Sequence, residues 1–465
     1  MQTLETELKR IKNITRPAPI NEESRFNYDE LFFSVTDPKS NITFANQVFI
    51  RISKYEKQDI IGQLHKLIRH PDMPRSVFHI FWEYLLENKP VAAYVKNMAQ
   101  DGSYYWVMAL AFPCEGGYLS IRLKPGSPLF EKVKKIYAST LKVEKETAKL
   151  TDKKEAMLAG RDHLLSLLKK EGFDNYQEFM WNALQLEITN RENKLSVLRS
   201  SSGPKKDHEV SDELIQLEET LGELVASLEK LKQIYEALNS HSDYILKLAR
   251  SIILLSLNAQ VGSAKLNRDD LSISVVAEKM GEQSLSGEEQ LLKMKDSIEK
   301  LNELIGYLNF DIISSKLQVE MTIDFLKELS IKESHDSTAI LSEEKTLRLL
   351  HQAYKPRLSG ISKALGEVPR SMRELLMGVK SIERFLMVLR FIHITGKVEV
   401  ARMDNTNNSF ATTFQELISE VDNAESHLKE LTEVVEKNNE TAKMYGFYKD
   451  KVSDLSSKLN FEDLY

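Results

Sequence analysis

Arginine, histidine and aspartate fall within four positions of one another in the run LHKLIRHPDMPRSVF, residues 64–78. The residues are Arg69, His70 and Asp72, with Pro71 and Pro74 among them. Three kinds of chemistry fit such a set. A guanidinium donates several hydrogen bonds from a rigid plane and suits a phosphate or a ring oxygen. An imidazole beside a carboxylate can move a proton or ligate a metal. The bland reading is a helix end, where the histidine bonds to backbone and the aspartate caps the next helix. Phe78 and Trp82 follow closely and add the flat apolar surface that lines ligand pockets.

Elements must hold these residues in place, and the chain has room for about three domains. Of its 465 residues 42% are apolar and 28% charged, enough to bury a core while leaning towards helix. The balance of 63 basic against 69 acidic residues, a net charge of −6, argues against a general nucleic-acid binder. A single cysteine, Cys114, excludes an internal disulfide and a cysteine-rich zinc site, and fits a reducing cytosol. Neither SIILLSLNAQV nor FLMVLRFIHITG approaches the ~20 apolar residues needed to span a bilayer. The expectation is a cytoplasmic protein without a transmembrane segment. No P-loop, H-E-x-x-H zinc motif or G-x-S-x-G elbow occurs, so an enzyme is not expected.

Two composition regimes divide the chain. Over residues 24–127, following an N-terminal helical segment at 1–23, LFFSVTD and ITFANQVF flank the turn PKSN and read as paired strands. VAAYVKNMAQDGSYYWVMALAFPCEGGYLSIRL reads as three more, with QDGS and CEGG as the turns. Short helices lie between the two groups. The result is a small α+β domain with a single antiparallel sheet. Connecting helices are expected over 128–199 and a Ser/Gly/Pro linker over 200–209.

Beyond it, Leu214, Leu217, Leu221, Leu224, Leu228 and Leu231 keep heptad spacing, as do Met294, Ile298, Leu301, Ile305, Leu308 and Ile312. That pattern predicts a coiled-coil helical hairpin over 210–335, reversing near Asn267–Asp270. A second helical hairpin is expected over 336–448, interrupted early by Pro356 and Pro369, with a tail at 449–465. LNAQVGSAKL (257–266) and ITGKVEVARM (394–403) align without gaps, as an internal repeat would. The seam residues need a partner, so a homodimer is expected.

In the first domain IRHPDMP, VKN, DGSYYWV and GYLSIR occur in the order and spacing that the PAS sensory domain of the bacterial aerotaxis receptor family carries. Residues from about Ser34 to Arg122 resemble that domain. The resemblance implies noncovalent FAD and redox sensing. Its matching positions are Asn46, Arg69, His70, Asp72, Phe78 and Asn97, with Trp82 adding apolar surface. The sequence departs from the family at Lys66, where the family has asparagine, and at Val91, where it has tryptophan. Haem, another small ligand, or an empty domain serving as an interaction scaffold stay open as alternatives.

ILLSLNAQVGSAKL and ISVVAEKMGEQS resemble, more loosely, the tip and return arm of methyl-accepting chemotaxis proteins. That likeness implies docking of a chemotaxis adaptor and histidine kinase near Asn258. The combined expectation is a PAS sensor that relays its state through coiled-coil rearrangement.

Overall fold

The structure, a computed structural model, describes residues 16–199, 210–263, 271–331, 337–402, 408–437 and 439–463. Strands β1 (Phe32–Thr36), β2 (Ile42–Ala45), β3 (Val91–Met98), β4 (Tyr104–Cys114) and β5 (Gly117–Leu123) form one antiparallel sheet in the order β2-β1-β5-β4-β3. Between β2 and β3 come α1 (Gln47–Ser53), α2 (Lys57–Ile60), a 3-10 turn (His65–Ile68) and α3 (Arg75–Leu86). After the sheet follow α4 (Pro128–Thr147), α5 (Lys153–Lys170), α6 (Tyr176–Arg199), α7 (Asp212–Ser263), α8 (Leu271–Ser330), α9 (Ser337–Arg402), α10 (Asn408–Lys437) and α11 (Asn439–Lys458). No helix among the described residues is long and apolar enough to cross a membrane.

Packing divides the chain into two units: residues 1–226, 309–361 and 451–465, and residues 227–308 and 362–450. In the first, strand alternation assigns every residue a face. Ser34, Thr36, Val95, Asn97, Ala109, Ala111, Ser120 and Arg122 point inwards, towards α3 and the 3-10 turn. On the outer face Phe325 of α8 meets Phe33 and Phe44 edge-on, with ring centroids 5.3 and 5.4 Å away, and the Arg357 guanidinium of α9 lies 4.8 Å over Phe112. Because both faces are covered, the strands read as nearly continuous buried runs.

The turns follow the expected chemistry, with Gly102 at φ +90° in QDGS and Gly116 at φ +77° in CEGG. ITFANQVF, expected as strand throughout, leaves the sheet at Ala45. Asn46 then caps α1, its side chain accepting from the Phe49 N–H. Residues 16–20 have no regular structure, and Glu23 bridges Tyr104 in extended form. Residues 451–458 continue α11 and bury Val452 and Leu455; Leu459 is buried just beyond, and its carbonyl accepts from Lys355 Nζ at 2.8 Å.

In the second unit each helical segment runs antiparallel to the one before it. Gln260 meets Gly281, Ser381 Oγ donates to Gln290 at 2.9 Å, and Arg390 pairs with Asp422 and Glu425. Residues of α7, α8, α9 and α10 converge on one small void, giving an up-down-up-down four-helix arrangement. Met294, Ile298, Leu301 and Ile305 are fully buried within the single chain, as are Leu214, Leu217, Leu221 and Leu224 of the first unit. The premise that these heptads need a second copy therefore does not hold.

Nor do Pro356 and Pro369 break α9, which runs through both. Around them Tyr354, Leu358, Ile361, Leu365 and Val368 are fully buried, and that packing offsets the ~3 kcal/mol a proline costs a helix interior. The expected reversal at Asn267–Asp270, the linker at 200–209 and the side chains of Leu228 and Leu231 lie outside the described residues.

Candidate ligand site

The inner face of the sheet and α3 enclose a cavity of about 140 Å3. Phe78, Phe81 and Trp82 of α3 form one wall, and β1, β3, β4 and β5 form the other. Trp82 packs edge-on against Tyr118, with centroids 5.2 Å apart. Asn97 is 2% exposed and its Nδ2 has no hydrogen-bond partner among the described residues, although the group borders the cavity. A buried amide N–H left unpaired is costly, and an acceptor inside the cavity would satisfy it.

Arg122 is the most informative lining residue. It is 1% exposed, donates to the Ser34 hydroxyl at 3.0 Å and to the Ser120 carbonyl at 3.0 Å, and has no carboxylate partner among the described residues. Its Nη2 lies 2.6 Å from His65 Nε2. A guanidinium only donates, so Nε2 accepts and the His65 proton sits on Nδ1. Desolvation, with the Arg122 charge beside it, pushes His65 down to about 3. Burial lowers Arg122 to about 10, which leaves it charged at neutral pH. A buried cation without a counter-ion is an electrostatic demand for negative charge or strong acceptors.

Arg69 stands in a second position of control. It borders the cavity and also an outer cleft of about 690 Å3. Its guanidinium lies 4.3 Å from the Phe78 ring centroid and donates to the Met73 carbonyl at 2.9 Å. Lys66 borders both spaces too. With Arg16, Arg75, Lys145 and Lys153 these make the cleft strongly basic, against one lining acid, Glu144. Glu144, on α4, accepts from the Arg75 and Ser76 N–H groups at 2.9 and 2.8 Å, and so caps α3 from a different helix.

The remaining expected residues are dispersed. His70 is buried and lines the outer cleft. Its Nδ1 accepts from the Asp72 N–H at 3.1 Å, and burial, followed by the Lys96 charge, lowers it to about 4. Asp72 faces away from the cavity and pairs with Lys96 at 2.8 Å. Asn46 lies outside both linings, its Oδ1 accepting from the Phe33 and Phe49 N–H groups at 3.1 and 3.2 Å. Val91 is fully buried and likewise outside the lining. Arg69, Phe78, Trp82 and Asn97 are thus brought together, while Asn46, His70 and Asp72 brace the walls.

Sequence reasoning passed over Arg122, His65 and Ser34. A signal for Arg122 was present: it interrupts an apolar strand, LSIRL, at the same parity as Ser120, which places both on one face. Nothing in the sequence pairs His65 with it.

Residues 42–117 match the family described as PAS fold. The aerotaxis receptor of Escherichia coli (strain K12) is 40% identical over 114 residues, covering 23% of this chain and 22% of that protein. The nitrogen fixation regulatory protein of Klebsiella pneumoniae is 34% identical over 74 residues, 16% of this chain and 15% of the relative. Among solved structures, the light state of the blue-light photoreceptor Aureochrome1 LOV is 19% identical, with TM-score 0.20, covering 22% of this chain and 86% of that one. The chain therefore spans less than a quarter of the length of these two curated relatives. The five-stranded sheet and the helices inserted between β2 and β3 are a PAS domain, homologous to that of the aerotaxis receptor.

Proposed function

We propose that the chain is a PAS sensor-transducer whose cavity holds a flavin, FAD in the first instance. The observation that carries this reading is the cavity's combination of flat aromatic walls with a buried donor lacking a partner, Asn97 Nδ2, and a buried cation lacking a carboxylate among the described residues, the Arg122 guanidinium. Those donors suit the oxygens of a planar heteroaromatic ring, and Phe78 and Trp82 suit its faces. Lys66 and Arg69, shared with the basic outer cleft, suit the phosphates of a ligand too long for the cavity alone. A bound flavin supplies reversible electron acceptance, coupling the pocket to its redox surroundings.

Two routes lead outwards from the pocket. Arg69 holds the Met73 carbonyl at the approach to α3, and Glu144 of α4 caps the first turn of α3, so rearranged bonding at Arg69 is felt in α4. On the other face, Phe325 rests on β1 and β2, so a sheet distortion is felt in α8. The output surface in this reading lies where α7 ends, with Leu257, Asn258 and Val261 exposed. Capture of a chemotaxis adaptor and kinase, abolished by Leu257→Glu at the exposed end of α7, tests that part alone.

The absorbance spectrum of freshly purified protein tests the pocket. Flavin bands are expected, with stoichiometric FAD released on denaturation. Arg122→Ala should weaken retention about tenfold or more, the loss of at least one charged hydrogen bond. A Soret band would assign the cavity to haem. A colourless protein that takes up no added FAD would leave the scaffold reading, in which the PAS domain is a docking surface.

A further inference from the structure

A different cluster lies in the helical second unit. His241 of α7 and His427 and Glu430 of α10 bring three ligand atoms within 4.8 Å of one another. The two Nδ1 atoms are 3.2 Å apart. In a tetrahedral site with metal–nitrogen bonds of about 2.0–2.1 Å, two ligating nitrogens lie about 3.3 Å apart, so the imidazoles already stand at ligand spacing. Both rings border a void of about 10 Å3 in the bundle core, which is otherwise lined by Tyr244 and apolar side chains. That is room for a single atom or ion.

The supports around the cluster are consistent with ligation. His427 and Glu430 are three residues apart and share a face of α10, the spacing by which helix bundles present paired metal ligands. The Tyr244 ring stacks on His427 at 3.8 Å and holds that ring's plane. Glu430 is exposed, so the site is reached from solvent and a water can take the fourth position.

We propose that His241, His427 and Glu430 bind a divalent first-row transition-metal ion, with Zn2+ the best match to a nitrogen-rich, four-coordinate site. Such an ion would tie α7 to α10, which run antiparallel in the bundle, and would stiffen the second unit without any change in the PAS pocket.

The test uses the full chain, stripped with a chelator and titrated with Zn2+ alone. One Zn2+ per chain is expected, with a rise in the thermal unfolding midpoint, and Co2+ should give the intense visible bands of a tetrahedral site. His427→Gln should abolish both effects. Glu430→Gln, at an exposed position, should weaken binding about tenfold, with circular dichroism of the metal-free protein as the control for folding. Absence of Zn2+ uptake would overturn the proposal and leave a hydrogen-bonded histidine pair. Uptake of equal affinity in both variants would overturn it too, since the metal would then sit elsewhere. Neither readout depends on flavin.

Discussion

His65 and His70 are five residues apart, and both are kept uncharged at neutral pH by burial with a cation alongside, Arg122 for the first and Lys96 for the second. Each folded value lies below the ordinary 6.5, so the unfolded chain takes up the proton first. The stability they contribute is complete above pH 6.5 and is lost as pH falls, at up to ~1.4 kcal/mol per pH unit for each fully coupled histidine. For His70 the decline should end near pH 4. Urea midpoints followed by near-ultraviolet circular dichroism at descending pH should show this fall, and His70→Asn should flatten part of it. An unchanged slope in that variant would mean that His70 is protonated as readily folded as unfolded. At this scale the motif IRHPDMP announced a pocket wall, yet only Arg69 of its three polar residues borders the cavity. Which side chain faces inwards is set by the 3-10 turn and its packing, which residue types do not encode.

Among the elements, α6 is fastened to the sheet by a buried carboxylate and by the Tyr176 hydroxyl, which donates to the Ala92 carbonyl at 3.1 Å. Glu187 is fully buried and accepts from the Gly126 N–H at 2.6 Å, the Ser127 hydroxyl at 2.5 Å and the Tyr94 hydroxyl at 2.8 Å. It therefore fixes the β5–α4 junction against α6, beside the stacked Tyr94 and Phe130 rings. Glu187→Gln would set an amide N–H against these donors and should cost about 3 kcal/mol, measured by chemical denaturation, with Tyr94→Phe costing about 1 kcal/mol. A neutral Glu187→Gln would show that the junction is held by apolar packing alone. The turns and the strand count were legible because glycine and polar turn residues punctuate the sequence. Glu187 was not, since in a helix of mixed composition a buried glutamate looks like any solvated one.

Heptad periodicity identifies the residues that face something and is silent about what they face. Here the partners of Leu214, Leu217, Met294 and Ile298 are other segments of the same chain. The midpoint of thermal unfolding should accordingly stay constant over about a hundredfold range of protein concentration. A midpoint that rises with concentration would show that part of the seam is shared between copies. The helical class of the described residues from 210 onwards was plain from composition and spacing. Closure of four arms within one chain was not, because an intramolecular bundle and a dimeric seam impose the same pattern.

The order of the chain has a consequence for its birth on the ribosome. The sheet is complete at Leu123, but Phe325 and Arg357, which pack on Phe33, Phe44 and Phe112 of its outer face, are made much later in the chain. At about 10 residues per second, translation from the sheet to those covering residues takes roughly 20 seconds. During that interval three buried phenylalanines of the finished protein are an open apolar surface on a nascent chain, facing whatever helix emerges first.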